Sequence, residues 1–278
     1  MTSMKNKTIV ITGASRGIGR AIALKCALAG ANIVVTGKTS EPHNKLPGTI
    51  HSVAAEVEAA GGKALAVQMD VRNEQQVQQM VEQTVERFGG IDALINNAGA
   101  IKLLPVETLP IKRFDLMQQV NSRALFICAQ AVLPYLKKSS NPHILSLSPP
   151  ISLQPKWLKN FAPYTLSKYG MTILALGMAE EFKKYHIAVN TLWPKTVIAT
   201  AAVAYEVGSE ETFQYCRTPD IMADAAFKIL NLSHEELNGQ TLIDEPFLKS
   251  QGVSDFEHYR YDRTTDKTLM NDLFVDEE

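Results

Sequence analysis

The chain has 278 residues, 45% of them hydrophobic and 21% charged, and a formal net charge of -1. That length suffices for one large domain or two small ones with a substantial core, and the near-neutral charge offers no electrostatic footprint for nucleic acid. No apolar stretch is long enough to span a bilayer, and Met1 to Lys7 form neither a signal-peptide core nor an arginine-rich transit helix. Cys26, Cys128 and Cys216 lie far apart in or beside apolar runs, and the six histidines show no ligand spacing. Buried thiols in a reducing cytoplasm, with no disulfide and no metal, are therefore expected.

In chain order, apolar β-rich runs fall at about 7–12, 32–37, 64–70, 92–96, 143–148, 187–193 and 240–244. Helical stretches separate them at 18–30, 50–61, 73–88, 112–138, 162–185 and 220–231. This alternation predicts an α/β fold: one doubly wound, Rossmann-like parallel sheet with helices on both faces, and ligands beyond the carboxyl ends of the strands. Residues 1–248 read as one such domain and 249–278 as an acidic C-terminal tail. From residue 250 onward, eight acidic side chains face three basic ones. That tail is either partly ordered, an arm for a partner subunit, or simply solvated.

The first run, Thr8 to Ile11, breaks into Gly13, Gly17 and Gly19 before a helix. Such glycines let the backbone turn tightly and approach a pyrophosphate at a helix N-terminus, although an ordinary strand-turn-helix corner reads the same way. At the end of the second run, Thr36-Gly37-Lys38-Thr39 lacks the acid that takes a ribose 2′-hydroxyl in NAD sites. Lys38 and Arg16 suit a 2′-phosphate instead, so NADP is expected, with NAD possible. The polar, proline-containing insertion Ser40 to Gly48 is expected to flank the adenosine end.

Asp70 closes the third run, either as an acceptor for an adenine amino group or as a helix cap. The fourth run ends in Asn96-Asn97-Ala98-Gly99. Asn121 stands inside an apolar helix, as a structural tie or as part of a proton path. Tyr164 and Lys168 are four apart on a helix and so share one face. There the ammonium favours the phenolate and moves its pKa toward the working range.

In order and spacing, the Gly13–Gly19 loop, Asp70, the Asn96–Gly99 run, Asn121 and the Tyr164/Lys168 pair resemble the short-chain dehydrogenases/reductases, over residues 5 to 245. The resemblance implies hydride transfer between a nicotinamide and a secondary alcohol or carbonyl. Tyr164 would be the acid/base, Lys168 would bind the nicotinamide ribose, and Asn121 would hold a water linking Lys168 to solvent. Gly13, Ser15, Arg16, Gly17, Ile18 and Gly19 would cradle the pyrophosphate, with Asp70 at the adenine and Asn97 near the ribose. Lys38, Val71, Ala98, Gly99, Pro194 and Thr196 complete the implied cofactor set, together with Tyr164 and Lys168.

Local cues at 37–39, 147–150, 177–182 and 192–196 match one group within the family. Its animal members carry an appended sterol-carrier-like module, which this chain is expected to lack.

Two positions depart from the family pattern. Pro149 stands where the catalytic serine is usual, which leaves Ser148 as the candidate hydroxyl and Ser146 as the second choice. Lys195 replaces a glycine after Pro194 and is expected to bring bulk and charge to the nicotinamide pocket. The segment 196–220 should form a lid, and its Val197, Ile198, Val203, Tyr205, Phe213 and Tyr215 suit an apolar, lipid-like or acyl substrate. The helical faces at 112–138 and 162–185 resemble those that build homodimers and homotetramers. The alternative reading is a non-catalytic NADP-binding sensor or scaffold.

Overall fold

The computed structural model describes residues 3–42, 47–206 and 209–276. Strands β1 (Thr8–Ile11), β2 (Asn32–Gly37), β3 (Lys63–Gln68), β4 (Ala93–Asn96), β5 (His143–Ser146), β6 (Ala188–Trp193) and β7 (Thr241–Ile243) form one sheet. Its order is β3-β2-β1-β4-β5-β6-β7, and every pairing is parallel. The helices are α1 (Gly17–Leu28), α2 (Ile50–Ala59), α3 (Glu74–Phe88), α4 (Ile111–Gln118), α5 (Ala124–Leu136), α6 (Pro155–Leu158), α7 (Ala162–Glu181), α8 (Ala201–Glu206), α9 (Asp220–Ile229) and α10 (Asp244–Ser250).

The β-branched runs form strands because they are buried on both faces, and their two-residue period divides the core. Ile9, Ile11, Ile33 and Val35 pack toward Ile22, Val53, Ile229 and Leu248 from α1, α2, α9 and α10. Val10, Val34, Leu94 and Ile144 face the other way, onto Val77, Leu125, Val132 and Met171 from α3, α5 and α7. Each such side chain contributes roughly 1.5–3 kcal/mol of burial. Strand order reverses between β1 and β4, which opens a crevice beyond their carboxyl ends.

The doubly wound parallel sheet agrees with the expected fold class, and three local features go beyond it. The helix expected over 112–138 is α4 and α5 joined by a π-helical turn, Gln119–Arg123, with Asn121 buried at its centre. A short helix, α10, follows β7 directly. Its acidic first turn and Pro246 are a start signal legible in the sequence.

The described part of the C-terminal segment is not a solvated tail. Phe256 and Tyr259 are buried in the core beside α1 and α9, and Phe274 is buried against Tyr164 and Trp193. The acidic residues Glu257 and Asp266 stay exposed between these anchors, which is why composition alone left a solvated tail open.

Candidate active site

A cavity of about 720 Å³ occupies the crevice, walled by the glycine loop, the residues after β4, and segments 193–203 and 270–273. Gly13 (φ 66) and Gly17 (φ 57) adopt left-handed backbone angles, which favour glycine. A Cβ on Gly19 would stand 2.5 Å from Asn97 Nδ2 and 2.9 Å from the Gly13 carbonyl. Asn97 holds the loop in place: its Nδ2 donates to the Thr12 (2.8 Å) and Gly13 (2.9 Å) carbonyls. The first backbone donor of α1 is the Arg20 amide, to Arg16, so among the described residues the Gly17, Ile18 and Gly19 amides have no backbone acceptor at the cavity end of the helix. Such amides, a helix N-terminus and bare glycine backbone fit a dinucleotide pyrophosphate.

Beside this cradle, two cations gather around one acid, with a third, Arg16, on the same cavity. Asp70 accepts from the Arg72 backbone amide (3.0 Å) and guanidinium (2.5 Å), and Lys38 Nζ lies 3.5 Å away. Arg72, chiefly through its side-chain hydrogen bond, holds the Asp70 carboxyl well below the usual carboxylate range. The cap of α3 is Asn73, not Asp70. Arg16 donates to Thr39 Oγ1 (3.2 Å) and to the Pro47 (3.0 Å) and Gly48 (3.1 Å) carbonyls. The insertion Ser40–Gly48 thus flanks this end; its residues 43–46 lie outside the described ones. Arg72 is a site residue that the sequence reading missed, because nothing local says where its guanidinium turns.

Tyr164 and Lys168 both line the cavity from α7. Lys168 Nζ donates to the Leu147 carbonyl (2.8 Å) and sits 5.1 Å from the centre of the Trp193 ring. Burial lowers the Lys168 ammonium to about 8, against the opposing pull of the Asp272 charge. The phenol does not behave as the sequence suggested. Burial raises the Tyr164 pKa, and the Asp272 charge raises it further, so the shift runs opposite to the one expected from the neighbouring cation.

The π turn delivers Asn121 to the loop after β4. Its Oδ1 accepts from the Ala100 amide (2.8 Å), and its Nδ2 donates to the Ala100 carbonyl (3.0 Å) and Ser167 Oγ (2.8 Å). Of the two readings of this side chain, the geometry supports the structural tie.

The structure does not bring Ser148 to the cavity. Its hydroxyl is fully buried against Thr172 Oγ1 (2.9 Å), and Leu147 is the residue of this stretch that lines the wall. Ser146 is also turned away, accepting from Asn96 Nδ2 (3.2 Å). Lys195 likewise departs from expectation. Its ammonium leaves the pocket for Glu245 (3.1 Å), an acid that Arg217 and Lys249 also hold.

Pro194, Val71, Ala98 and Gly99 line the cavity with Ser15 and Arg16. Thr196 does not; its hydroxyl is buried without a hydrogen-bond partner among the described residues, and its backbone bridges to Asn271. Within the lid segment, Val197, Ile198 and Val203 reach the cavity, whereas Tyr205 is exposed and Phe213 packs on Val197 and Cys216. Away from the cavity, donor atoms of His186, His234 and Glu235 lie within 4.8 Å of one another, a juxtaposition their spacing does not suggest.

Three comparisons place these features among known proteins. The family model for short chain dehydrogenases matches residues 7–210. The chain is 52% identical over 269 residues to hydroxysteroid dehydrogenase-like protein 2 of Danio rerio, covering 97% of this chain and 64% of that protein. It is 50% identical to the protein of that name from Homo sapiens, again over 97% of this chain and 63% of the relative. The chain therefore spans less than two thirds of the length of these relatives. Among solved structures, it resembles a short chain dehydrogenase homolog from Mycobacterium thermoresistibile, with 47% identity, 99% and 96% coverage and a TM-score of 0.93. A metagenomic short-chain oxidoreductase solved in complex with NADP is 26% identical, with 87% and 98% coverage and a TM-score of 0.71. No helix among the described residues is long and apolar enough to cross a membrane.

Proposed function

The chain belongs to the short-chain dehydrogenase family, and we propose from that premise that it is an NADP-dependent reductase of an apolar carbonyl compound, working reversibly on the corresponding secondary alcohol. The observation that carries this reading is the placement of Tyr164 and Lys168 on the same cavity as the glycine cradle. When bound, the nicotinamide supplies or takes up the hydride. The Gly17, Ile18 and Gly19 amides would hold the cofactor's pyrophosphate, and Lys168 would bind its nicotinamide ribose.

Tyr164 is the general acid in reduction. Its burial favours the neutral phenol, the form that gives a proton to a carbonyl oxygen, and its phenolate takes the proton back in the reverse reaction. Asn121 acts from behind by bracing the Ala100 backbone and Ser167. NADP preference rests on Arg16 and Lys38 beside the adenosine end, and the apolar substrate on Ile101, Leu103, Val197 and Val203. Phe126, Leu166 and Ile173 are exposed on α5 and α7, and we assign these faces to a homodimer or homotetramer.

The test is NADPH titration by fluorescence, followed by NADPH oxidation against medium-chain and steroidal carbonyls, with Tyr164→Phe beside the wild type. Wild-type turnover that falls by 10²–10⁴ in the variant, with NADPH still bound, is the expected result. Equal turnover by the two proteins would remove Tyr164 from the mechanism. NADPH binding without turnover of any carbonyl would favour a sensor.

A further inference from the structure

Residues 267–276 cross the mouth of the cavity as a strap anchored on both sides of Asp272. Before it, the Val197 amide donates to the Met270 carbonyl (2.9 Å), and the Asp272 amide itself donates to the Lys195 carbonyl (3.0 Å). After it, the Trp193 indole donates to the Leu273 carbonyl (2.7 Å), and Phe274 enters a cluster of five aromatic rings. Asp276 then pairs with Lys156 (3.0 Å) and the Trp157 indole (3.0 Å).

None of these anchors uses the Asp272 side chain. Its Oδ1 accepts only from the next amide, Leu273 (2.6 Å), and its Oδ2 has no hydrogen-bond or salt-bridge partner among the described residues. That carboxylate nevertheless lines the cavity, with Tyr164 and Lys168. Ile101, Leu103, Val197, Val203 and Leu273 give the same cavity an apolar share, beside polar residues such as Thr200 and Asn271. On the β5 side the wall offers no hydroxyl, because Ser148 turns to Thr172.

Asp272 is only partly buried, so water reaches this oxygen in the open cavity; once a bound substrate displaces that water, the oxygen is costly unless the substrate itself bonds to it. Lys168 does not satisfy it: among the described residues no ion pair joins the two, and the ammonium donates to the Leu147 carbonyl. Resting on the reductase reading above, we propose that Asp272 is a specificity-determining residue that accepts a hydrogen bond from a hydroxyl of the substrate. The substrate class is then an apolar carbonyl compound that also carries a hydroxyl group. A cationic donor fits less well, because Lys168 already places a positive charge at this end. A site built to bond a substrate hydroxyl discriminates strongly against the analogue that lacks it.

The test compares 2-octanone with its monohydroxylated counterparts, the hydroxyl at successive carbons, by NADPH oxidation in the wild type, Asp272→Leu and Asp272→Asn. In the wild type, at least one hydroxyketone should exceed 2-octanone in kcat/KM by about tenfold, equivalent to about 1.4 kcal/mol. Asp272→Leu should bring that ratio to within about twofold, and Asp272→Asn, which keeps the shape and one acceptor oxygen, should retain part of it. A merely structural or charge-balancing role would depress both substrate classes alike and leave the ratio unmoved in both variants. That outcome, or a wild type with turnover but no preference, overturns the proposal. Wild-type protein that binds NADPH and reduces neither class overturns the reductase reading itself, and this inference with it.

Discussion

The ring of Phe274 lies against that of Tyr164, with centroids 6.2 Å apart and planes 29° from parallel. The last aromatic residue of the chain thus supports the candidate general acid, 110 positions earlier in sequence. Phe274 also touches Trp157 and Phe161 (centroids 5.8 and 6.1 Å), which belong to the long stretch between β5 and α7. The acidic segment and that long stretch, each unusual when read alone, pack on one another over the active site.

This contact predicts that Phe274→Ala loosens the strap and misplaces Tyr164. Emptying a buried phenylalanine site costs about 3–5 kcal/mol when the surroundings cannot collapse, so the melting temperature should fall by several degrees. Turnover should fall at least tenfold, while NADPH affinity, set at the glycine loop, should change little. Both tryptophans of the chain border Phe274, so their fluorescence should shift to the red. Unchanged emission and turnover would remove the strap from the mechanism.

Arg16 and Lys38 make a prediction about cofactor choice. Each is partly exposed near the adenosine end, and Lys38 stands 3.5 Å from Asp70. Hydrogen bonds to charged groups contribute about 1.5–3 kcal/mol. Arg16→Ala and Lys38→Ala should therefore weaken NADPH roughly tenfold or more and NADH far less. Titration with both cofactors decides the matter, and equal losses would exclude the phosphate role.

What was legible in the sequence is what local chemistry determines. Ile9, Val10 and Ile11 demand a buried strand, the glycines demand a turn, and the spacing of Tyr164 and Lys168 demands a shared face. Directions of long side chains were not legible. Lys195 turns to Glu245 because α10 places an acid there, and Ser148 turns to Thr172 because α7 packs on that side. Neither partner is near in sequence. Asp272 and Phe274 were hidden for a different reason, since two inward-facing residues barely alter the composition of an acidic segment.

His143 makes a prediction about acid stability. It is buried at the start of β5 with neither ring nitrogen hydrogen-bonded among the described residues. Burial, helped by the Lys7 charge, pushes it down to about 4. The folded state thus refuses a proton that the unfolded chain accepts near 6.5. Stability should be fully present above about pH 6.5 and fall as pH drops toward 4, by roughly 3 kcal/mol in total from this group. Urea unfolding of the wild type and His143→Leu at pH 7 and 4.5 should show a smaller acid loss in the variant. Equal losses would assign the acid limb to other groups.

Asp272 should act on stability with the opposite sign. Burial raises its carboxyl to about 7; the Asp244 charge adds to this, while the Leu273 amide and Lys168 oppose it. The folded protein therefore binds this proton more tightly than the unfolded chain, whose aspartates titrate near 3.9. Stability is lost as pH rises from about 4 to about 7, at most about 1.4 kcal/mol per pH unit and less where water in the cavity screens the charge. Asp272→Asn removes the titration, so its stability advantage over the wild type should grow between pH 5 and pH 8. The same variant should weaken discrimination between hydroxylated and plain ketones, since a residue kept for recognition at a cost to the fold is improved in stability and harmed in function by one change. Urea midpoints at the two pH values, set beside the kcat/KM ratio, check both halves. A variant no more stable relative to wild type at pH 8 than at pH 5 would show that the carboxylate is already satisfied in the unliganded protein.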